Sequence, residues 1–155
     1  MSDRLLPRKL TLRAHGQQVV FIKKPQERME HVLMKAFLWA LYLPAYPALS
    51  VEVKVGDRYK PDVVQLDRLG QPVFWGEAGK VGVDKIASLT RRYRHTHFAM
   101  GKWATTLQPY VEIVEEAVAD LHRTAPFDLL LFPADSADRF LGDNGEITIT
   151  HDDIR

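Results

Sequence analysis

Apolar and polar side chains alternate in several short stretches of this chain, a two-residue period that is typical of β-strands. One stretch, residues 9–23, surrounds a turn at His15-Gly16-Gln17 and predicts a β-hairpin. A second, residues 49–55, alternates strictly and predicts a half-exposed strand. On that strand Glu52 falls on the solvent side, so we do not expect it to take part in a site.

Between these two stretches the period becomes helical. Pro25 favours a helix start, and Glu27 and Glu30 lie where a carboxylate complements the positive end of the helix dipole. We expect the helix to begin at Pro25, to be buried on most sides and to end before Pro44 and Pro47. Its apolar positions recur at three- and four-residue spacing: Met29, Val32, Leu33, Ala36, Phe37, Ala40 and Leu41.

The segment 60–85 carries the candidate chemistry. Two β-rich runs flank the turn around Gly70, and each run carries one acid, Asp62 or Glu77, 15 positions apart. Because paired strands lie roughly 5 Å apart, a hairpin here brings the two carboxylates together, as a hard cation such as Mg²⁺ requires. The alternative is a turn-favouring Asp62 and a Glu77 that forms an ordinary salt bridge. We favour the metal site because both acids flank the same pair of apolar strands.

The remainder of the chain continues the alternation of elements. A helix is predicted from about residue 83, a strand over 98–103 and an amphipathic helix over 107–122. A buried strand is predicted over 127–132 and a loop over 135–145. A final alternating strand, 146–151, completes an α/β fold with a mixed central sheet in a single domain, 1–155.

This order, with Pro61-Asp62 and Glu77-x-Gly79, resembles the PD-(D/E)xK nuclease superfamily, and more closely its YaeQ-like proteins. The resemblance includes the run Pro25-Gln26-Glu27-Arg28-Met29 and covers roughly residues 10–105. It implies a restriction-endonuclease-like αβββαβ core with a mixed central sheet and an N-terminal β-hairpin. It also implies that Asp62 and Glu77 hold Mg²⁺ or Mn²⁺, with Glu27 beside the metal. On sequence alone, the helix-start interpretation of Glu27 is the favoured one, and the resemblance makes the two interpretations about equal.

The catalytic lysine departs from the superfamily pattern. That lysine usually follows the acid by two positions, where this chain has Gly79. Lys85, in the first turn of the next helix, is our first choice because it can reach back over Gly79, and superfamily members often place the lysine on this helix. Lys80 is the second choice, since its side chain points away if the strand continues.

Charge is unevenly distributed although the net charge is only +1. Residues 80–102 contain six cations and one anion, and the arginines Arg91, Arg92 and Arg94 dominate this segment. We expect these arginines to contact phosphates of a nucleic acid. A solvated helix face is the competing interpretation.

Composition excludes several other classes. The 155 residues contain no cysteine, so disulfides and thiolate metal sites are excluded. No apolar run reaches the roughly 18 to 20 residues of a membrane span. The charged segment 1–4 is unlike a signal peptide, and a cytoplasmic location is expected.

The sequence therefore predicts a metal-dependent nuclease that hydrolyses phosphodiester bonds in nucleic acid. A catalytically inactive nuclease-fold module that binds nucleic acid or a protein partner is the alternative, and the displaced lysine favours it. A purely structural interaction protein is the third class, because the overall charge is near neutral.

Overall fold

The structure, a computed structural model, describes residues 8–155, so the charged segment 1–4 lies outside the described residues. The elements in chain order are β1 (Arg8–Ala14), β2 (Gln17–Lys23), α1 (Met29–Tyr42), β3 (Ser50–Val51), β4 (Val63–Leu66), β5 (Pro72–Ala78), α2 (Val83–Arg92), β6 (His97–Trp103), α3 (Gln108–Val118), β7 (Phe127–Phe132), α4 (Ser136–Phe140) and a 3₁₀ turn at His151–Asp153. The predicted mixed α/β fold with an N-terminal hairpin is confirmed.

Five strands form the central sheet in the order β3-β4-β5-β6-β7. β3, β4 and β5 are antiparallel neighbours, whereas β5, β6 and β7 run parallel. The crossover from β5 to β6 uses α2, and the crossover from β6 to β7 uses α3. β1 and β2 form a separate antiparallel hairpin.

Helix α1 is the centre of the larger core. Eleven consecutive residues, from Val32 to Tyr42, are buried, as its wide apolar face predicts. The helix packs on the sheet face that presents Phe74, Ala78 and Ala99. α1 is 14 residues long, and within residues 8–155 no helix has the length and apolar character needed to cross a membrane.

The opposite face of the sheet is covered by α2 and α3. Trp75, Leu89 and Phe98 form one cluster there, and Ile86 and Met100 belong to a second. Alternation along β5 therefore sends Phe74 toward α1 and Trp75 toward α2. Glu77 follows Trp75 by two positions and lies on the α2 side.

A polar cluster ties the sheet to α1 at the edge where β6 and β7 begin. The hydroxyl of Tyr42 donates to Asp128 Oδ2 at 2.7 Å, and His97 Nε2 lies 2.6 Å from the same oxygen. The hydroxyl of Tyr46 lies 2.9 Å from His97 Nδ1. Burial and the adjacent Asp128 carboxylate raise the pKa of Tyr42.

The strand predicted over 49–55 is wrong beyond Val51. Glu52 adopts a φ of +55°, a left-handed conformation that ends the alternation. Its carboxylate Oε1 lies 2.5 Å from Lys35 Nζ instead of facing solvent. The predicted solvent-side orientation of Glu52 is therefore wrong as well.

Other boundaries also differ from the predictions. α1 begins at Met29 rather than at Pro25, because the backbone N–H of Glu27 bonds the carbonyl of Lys24 in a preceding turn. The predicted loop 135–145 contains α4, and α3 ends at Val118 rather than near residue 122. The predicted strand 146–151 is wrong, since it makes only isolated bridges, through Glu146 and Ile147.

Candidate active site

The β4–β5 hairpin brings Asp62 and Glu77 together. Val63 pairs with Gly76, so the register continued by one position sets Asp62 beside Glu77. The Asp62 backbone N–H donates to the Gly76 carbonyl at 3.1 Å, and its carboxylate Oδ2 accepts the Ala78 N–H at 2.8 Å. Asp62 therefore contacts the residues on both sides of Glu77.

Glu77 is buried, with 7% of its surface exposed, and its Oε2 has two partners. The indole N–H of Trp75 donates to it at 2.8 Å. The ammonium of Lys85, from the first turn of α2, lies 3.2 Å from the same oxygen. A buried carboxylate needs such partners, because isolating it from water costs several kcal/mol.

Both acids hold their protons more tightly than usual. Burial raises the pKa of Asp62, against the opposing effects of the Ala78 N–H and the charges of Lys35, His31 and Lys85. Burial also raises the pKa of Glu77, and the neighbouring Asp62 carboxylate raises it further. Burial and proximity therefore disfavour the simultaneous ionisation of both acids.

The donor set fits a hard divalent cation. Among residues 8–155, neither Asp62 Oδ1 nor Glu77 Oε1 has a hydrogen-bond partner, so each acid offers one free oxygen. No group of three or more His, Asp or Glu side chains within these residues is arranged to hold a metal. Two carboxylates suffice for Mg²⁺, which usually keeps several waters and binds through one or two carboxylates plus substrate phosphates.

The two candidate lysines occupy different places. Lys85 contacts Glu77, and its ammonium also lies 5.1 Å from the centre of the Tyr59 ring. β5 ends at Ala78, and Gly79 adopts a φ of +88°, which turns the chain out of the strand. Lys80 follows this turn with an exposed side chain and makes no ion pair within residues 8–155.

Glu27 lies in a chain of ion pairs on α1. Its Oε2 lies 2.7 Å from both Lys35 Nζ and His31 Nδ1, and Lys35 also contacts Glu52. Burial alone would raise the pKa of Glu27, but the hydrogen bonds from Lys35 and His31 hold it below its ordinary value. Burial alone would lower the pKa of Lys35, but Glu27 and Glu52 hold it above its ordinary value.

These side chains line a cavity of about 210 Å³ beside Asp62. We call it the charged cavity, because all of its lining residues are ionisable: Lys24, Glu27, His31, Lys35, Glu52, Lys60 and Asp62. A wider opening of about 560 Å³, the open cleft, adjoins it and is lined by Lys24, Pro25, Gln26, Glu27 and His31. Glu27 and Asp62 therefore face one connected space.

One of the three predicted phosphate-binding arginines already has a carboxylate partner. Arg92 pairs with Asp57, its Nη2 lying 3.2 Å from Asp57 Oδ1 and 3.2 Å from Ser88 Oγ. Arg91 and Arg94 are exposed and make no ion pair among residues 8–155. Arg92 therefore anchors the loop before β4, and Arg91 and Arg94 have side chains available to a ligand.

Sequence reasoning missed Lys35, although a signal was present. It is a lysine within the apolar run of α1, eight positions after Glu27, and it is only 4% exposed. A charged side chain in such a run is almost never fully buried without a partner. Glu52 carried no comparable signal, since its alternating strand pattern predicted an outward side chain.

The sequence analysis also missed Lys102, which binds the backbone just after the end of β5. It lies on β6, is 3% exposed and donates a hydrogen bond to the carbonyl of Gly79. Its ammonium is 4.1 Å from the centre of the Tyr110 ring. Burial, reinforced by the nearby charge of Lys80, lowers the pKa of Lys102 to about 8.

No protein-family model and no curated protein sequence matches this chain significantly. Solved structures of YaeQ proteins resemble it. The YaeQ protein from Pseudomonas syringae superposes with a TM-score of 0.63 at 16% identity, covering 88% of this chain and 76% of that one. The YaeQ protein from Xanthomonas axonopodis pv. citri gives a TM-score of 0.50 at 14% identity, covering 81% and 85%. The expected likeness to YaeQ is confirmed at the level of the fold.

Proposed function

We propose that this chain is a divalent-metal-dependent nuclease that hydrolyses phosphodiester bonds in nucleic acid. The pairing of Asp62 and Glu77 carries the proposal, because each acid has a raised pKa and one free carboxylate oxygen. Buried like charges that repel each other are typical of functional sites. A bound cation offsets that repulsion.

Two further observations support an assignment to the PD-(D/E)xK superfamily. The order α1-β3-β4-β5-α2-β6 corresponds to the αβββαβ core that the sequence resemblance implies. Asp62 immediately precedes β4 and Glu77 is the penultimate residue of β5, in agreement with the motif positions that the resemblance implies. We place the activity in the cytoplasm, which suits a chain without cysteine.

Asp62 and Glu77 are the residues that hold Mg²⁺ or Mn²⁺ in this proposal. When bound, such a metal supplies Lewis-acid polarisation of a phosphate oxygen and an acidified water. Lys85 contributes a positive charge beside Glu77, where negative charge develops on the reacting phosphate. Lys80 is the second candidate for this role. Glu27 acts indirectly, since its carboxylate is paired with Lys35 and His31.

Conservative substitutions test the acid pair. Asp62→Asn keeps an oxygen that accepts the Ala78 N–H, and Glu77→Gln keeps the acceptor for Trp75. We expect each variant to lose about 100-fold or more of the Mg²⁺- or Mn²⁺-dependent cleavage of DNA or RNA. Lys85→Met should also lose activity, whereas Lys80→Met should retain it. The reverse result would assign the role to Lys80.

Stability separates a catalytic acid from a structural one. The folded pKa of Asp62 lies above its unfolded value, so its charge opposes folding increasingly as the pH rises through the folded pKa. Asp62→Asn should therefore be at least as stable as the wild type near pH 7 in metal-free buffer. A clear loss of stability would assign Asp62 to a structural role. A wild-type protein that cuts neither DNA nor RNA with either metal would refute the nuclease proposal.

A nuclease-fold module that binds nucleic acid or a protein partner without cutting is the second candidate. The observation that favours it is the direct Lys85–Glu77 ion pair, which partly neutralises Glu77 without a metal. Gly79 at the usual position of the catalytic lysine also favours this candidate. Binding of nucleic acid that weakens with salt, in the absence of any cleavage, would support this candidate.

A further inference from the structure

The charged cavity neutralises most of its own charges. Lys35 lies between Glu27 and Glu52, at 2.7 and 2.5 Å, and is nearly excluded from water. His31 faces an acceptor at each ring nitrogen, the Glu27 carboxylate at 2.7 Å and the Ala78 carbonyl at 3.2 Å. These contacts form a fixed wall of the charged cavity.

Two lysines on the rim of the charged cavity are not part of this wall. Lys24 comes from the connection between β2 and α1, and Lys60 from the loop that leads into β4. Both side chains are exposed, and neither forms an ion pair among residues 8–155. Two ammonium groups from separate segments that face one small cavity favour an anion with several acceptor oxygens, and a phosphate has that chemistry.

Asp62 gives the charged cavity an opposite pole. It lines the same space as Lys24 and Lys60. A ligand that fits this charge distribution presents a phosphate to Lys24 and Lys60. It also leaves room for a cation at Asp62 and Glu77. A phosphodiester next to a metal-binding carboxylate has this distribution of charge.

The open cleft provides space beside that phosphate. It shares Lys24, Glu27 and His31 with the charged cavity and adds the ring of Pro25 and the amide of Gln26. Its volume of about 560 Å³ lies within the roughly 300–1,000 Å³ typical of small-molecule sites. The apolar Pro25 ring can contact the face of a base and the Gln26 amide can hydrogen-bond its edge. In a duplex the bases are stacked and paired, so an unpaired base is the one that presents both its face and its edge to this cleft.

We propose that the charged cavity and the open cleft together bind one nucleotide unit of a single-stranded nucleic acid, with its phosphate between Lys24 and Lys60 and its base beside Pro25 and Gln26. This inference rests on the proposed function and assigns its substrate class. It moves the main phosphate contact from the arginines in and after α2 to Lys24 and Lys60, which line the same cavity as Asp62.

Binding to a short, fluorescently labelled single-stranded oligonucleotide tests the inference. Anisotropy is measured in Ca²⁺ or metal-free buffer, so that cleavage does not interfere. We expect Lys24→Ala/Lys60→Ala to weaken binding about tenfold. The slope of the logarithm of the binding constant against the logarithm of salt concentration, measured between about 50 and 200 mM, should become shallower by about one. Lys24→Arg/Lys60→Arg should retain most of the affinity, since it keeps both charges.

The matched control is Lys9→Ala/Lys54→Ala, which removes two exposed lysines outside both cavities and changes net charge equally. We expect it to weaken binding by less than about twofold. An equal loss in the control variant would refute the inference, because the effect would then be one of overall charge. Equal affinity for a blunt duplex would refute it too.

Competition identifies the chemical group that is bound. Adenosine monophosphate should displace the labelled strand, whereas adenosine should not. Equal displacement by both would refute a phosphate site between Lys24 and Lys60.

The inference and the proposed function can fail separately. Binding that depends on these lysines without any cleavage refutes only the nuclease. Cleavage and binding that are both unchanged in Lys24→Ala/Lys60→Ala refute only the nucleotide site.

Discussion

Replacing Lys35 with methionine tests the ion-pair chain on α1 most directly. The substitution keeps an unbranched apolar stem inside the helix but removes the ammonium that contacts Glu27 and Glu52. Lys35 is 4% exposed, and the Glu27 side chain is only 12% exposed. The variant therefore leaves a nearly buried carboxylate without its closest cation.

The magnitude follows from the burial of the three groups. Breaking a buried ion pair by removing one partner costs about 3–5 kcal/mol. The Glu52 side chain is 25% exposed and regains some solvation, so we take the lower end, about 3 kcal/mol. At roughly 2–4 °C per kcal/mol for a domain of this size, Lys35→Met should lower the melting temperature by about 6–12 °C.

The pH dependence identifies the cause. The folded pKa of Glu27 lies below its ordinary value of 4.5, so the ion pair contributes fully above that pH and is lost as the pH falls through the folded pKa. The difference in stability between wild type and Lys35→Met should therefore be full near pH 7 and shrink below about pH 4.5. Urea unfolding at both pH values measures it.

Two companion variants complete the experiment. Lys54→Met removes an exposed lysine and should change stability by less than about 0.5 kcal/mol. Glu27→Gln/Lys35→Met should be more stable than Lys35→Met alone, because it removes the unpaired charge. If Lys35→Met unfolds like Lys54→Met, or if its deficit is the same at both pH values, the ion-pair argument is wrong.

Lys102 and Gly101 on β6 give the remaining predictions. The pKa of Lys102 is lowered to about 8, so between that pH and the ordinary lysine pKa of 10.5 the unfolded chain binds more protons than the folded chain. The stability of the wild type relative to Lys102→Met should therefore rise by about 3 kcal/mol over this interval. Thermal unfolding of both proteins from about pH 7.5 to 10.5 measures this, and parallel curves would contradict it. Gly101→Ala should cost about 1–3 kcal/mol in urea unfolding, because its Cβ would meet Phe132 Cε2 at 2.7 Å. Gly82→Ala, whose Cβ meets nothing within 4 Å, is the control, and an equal loss there would show that the contact with Phe132 is not the cause.

The local pattern of the sequence was sufficient for several elements. The hairpin β1–β2, the buried helix α1 and the strand β7 follow from periodicity, turn residues and apolar runs within each segment. The β4–turn–β5 unit is local in the same sense, because a short connection joins its strands. The spacing of Asp62 and Glu77 therefore sufficed to predict that they are neighbours across the hairpin.

Tertiary structure decided the partners of the charged side chains. Glu52 itself adopts the left-handed backbone conformation that follows β3, and this brings its carboxylate to Lys35. The alternating sequence pattern does not reveal such a change in the backbone of a single residue. Arg92 pairs with Asp57, 35 positions earlier, and Glu27, just before α1, pairs with Lys35 on that helix. Periodicity reports which face of an element is buried, but not which distant group lies opposite each residue. Contacts across the fold set those pairs, since burial makes an unpaired charge too costly to leave.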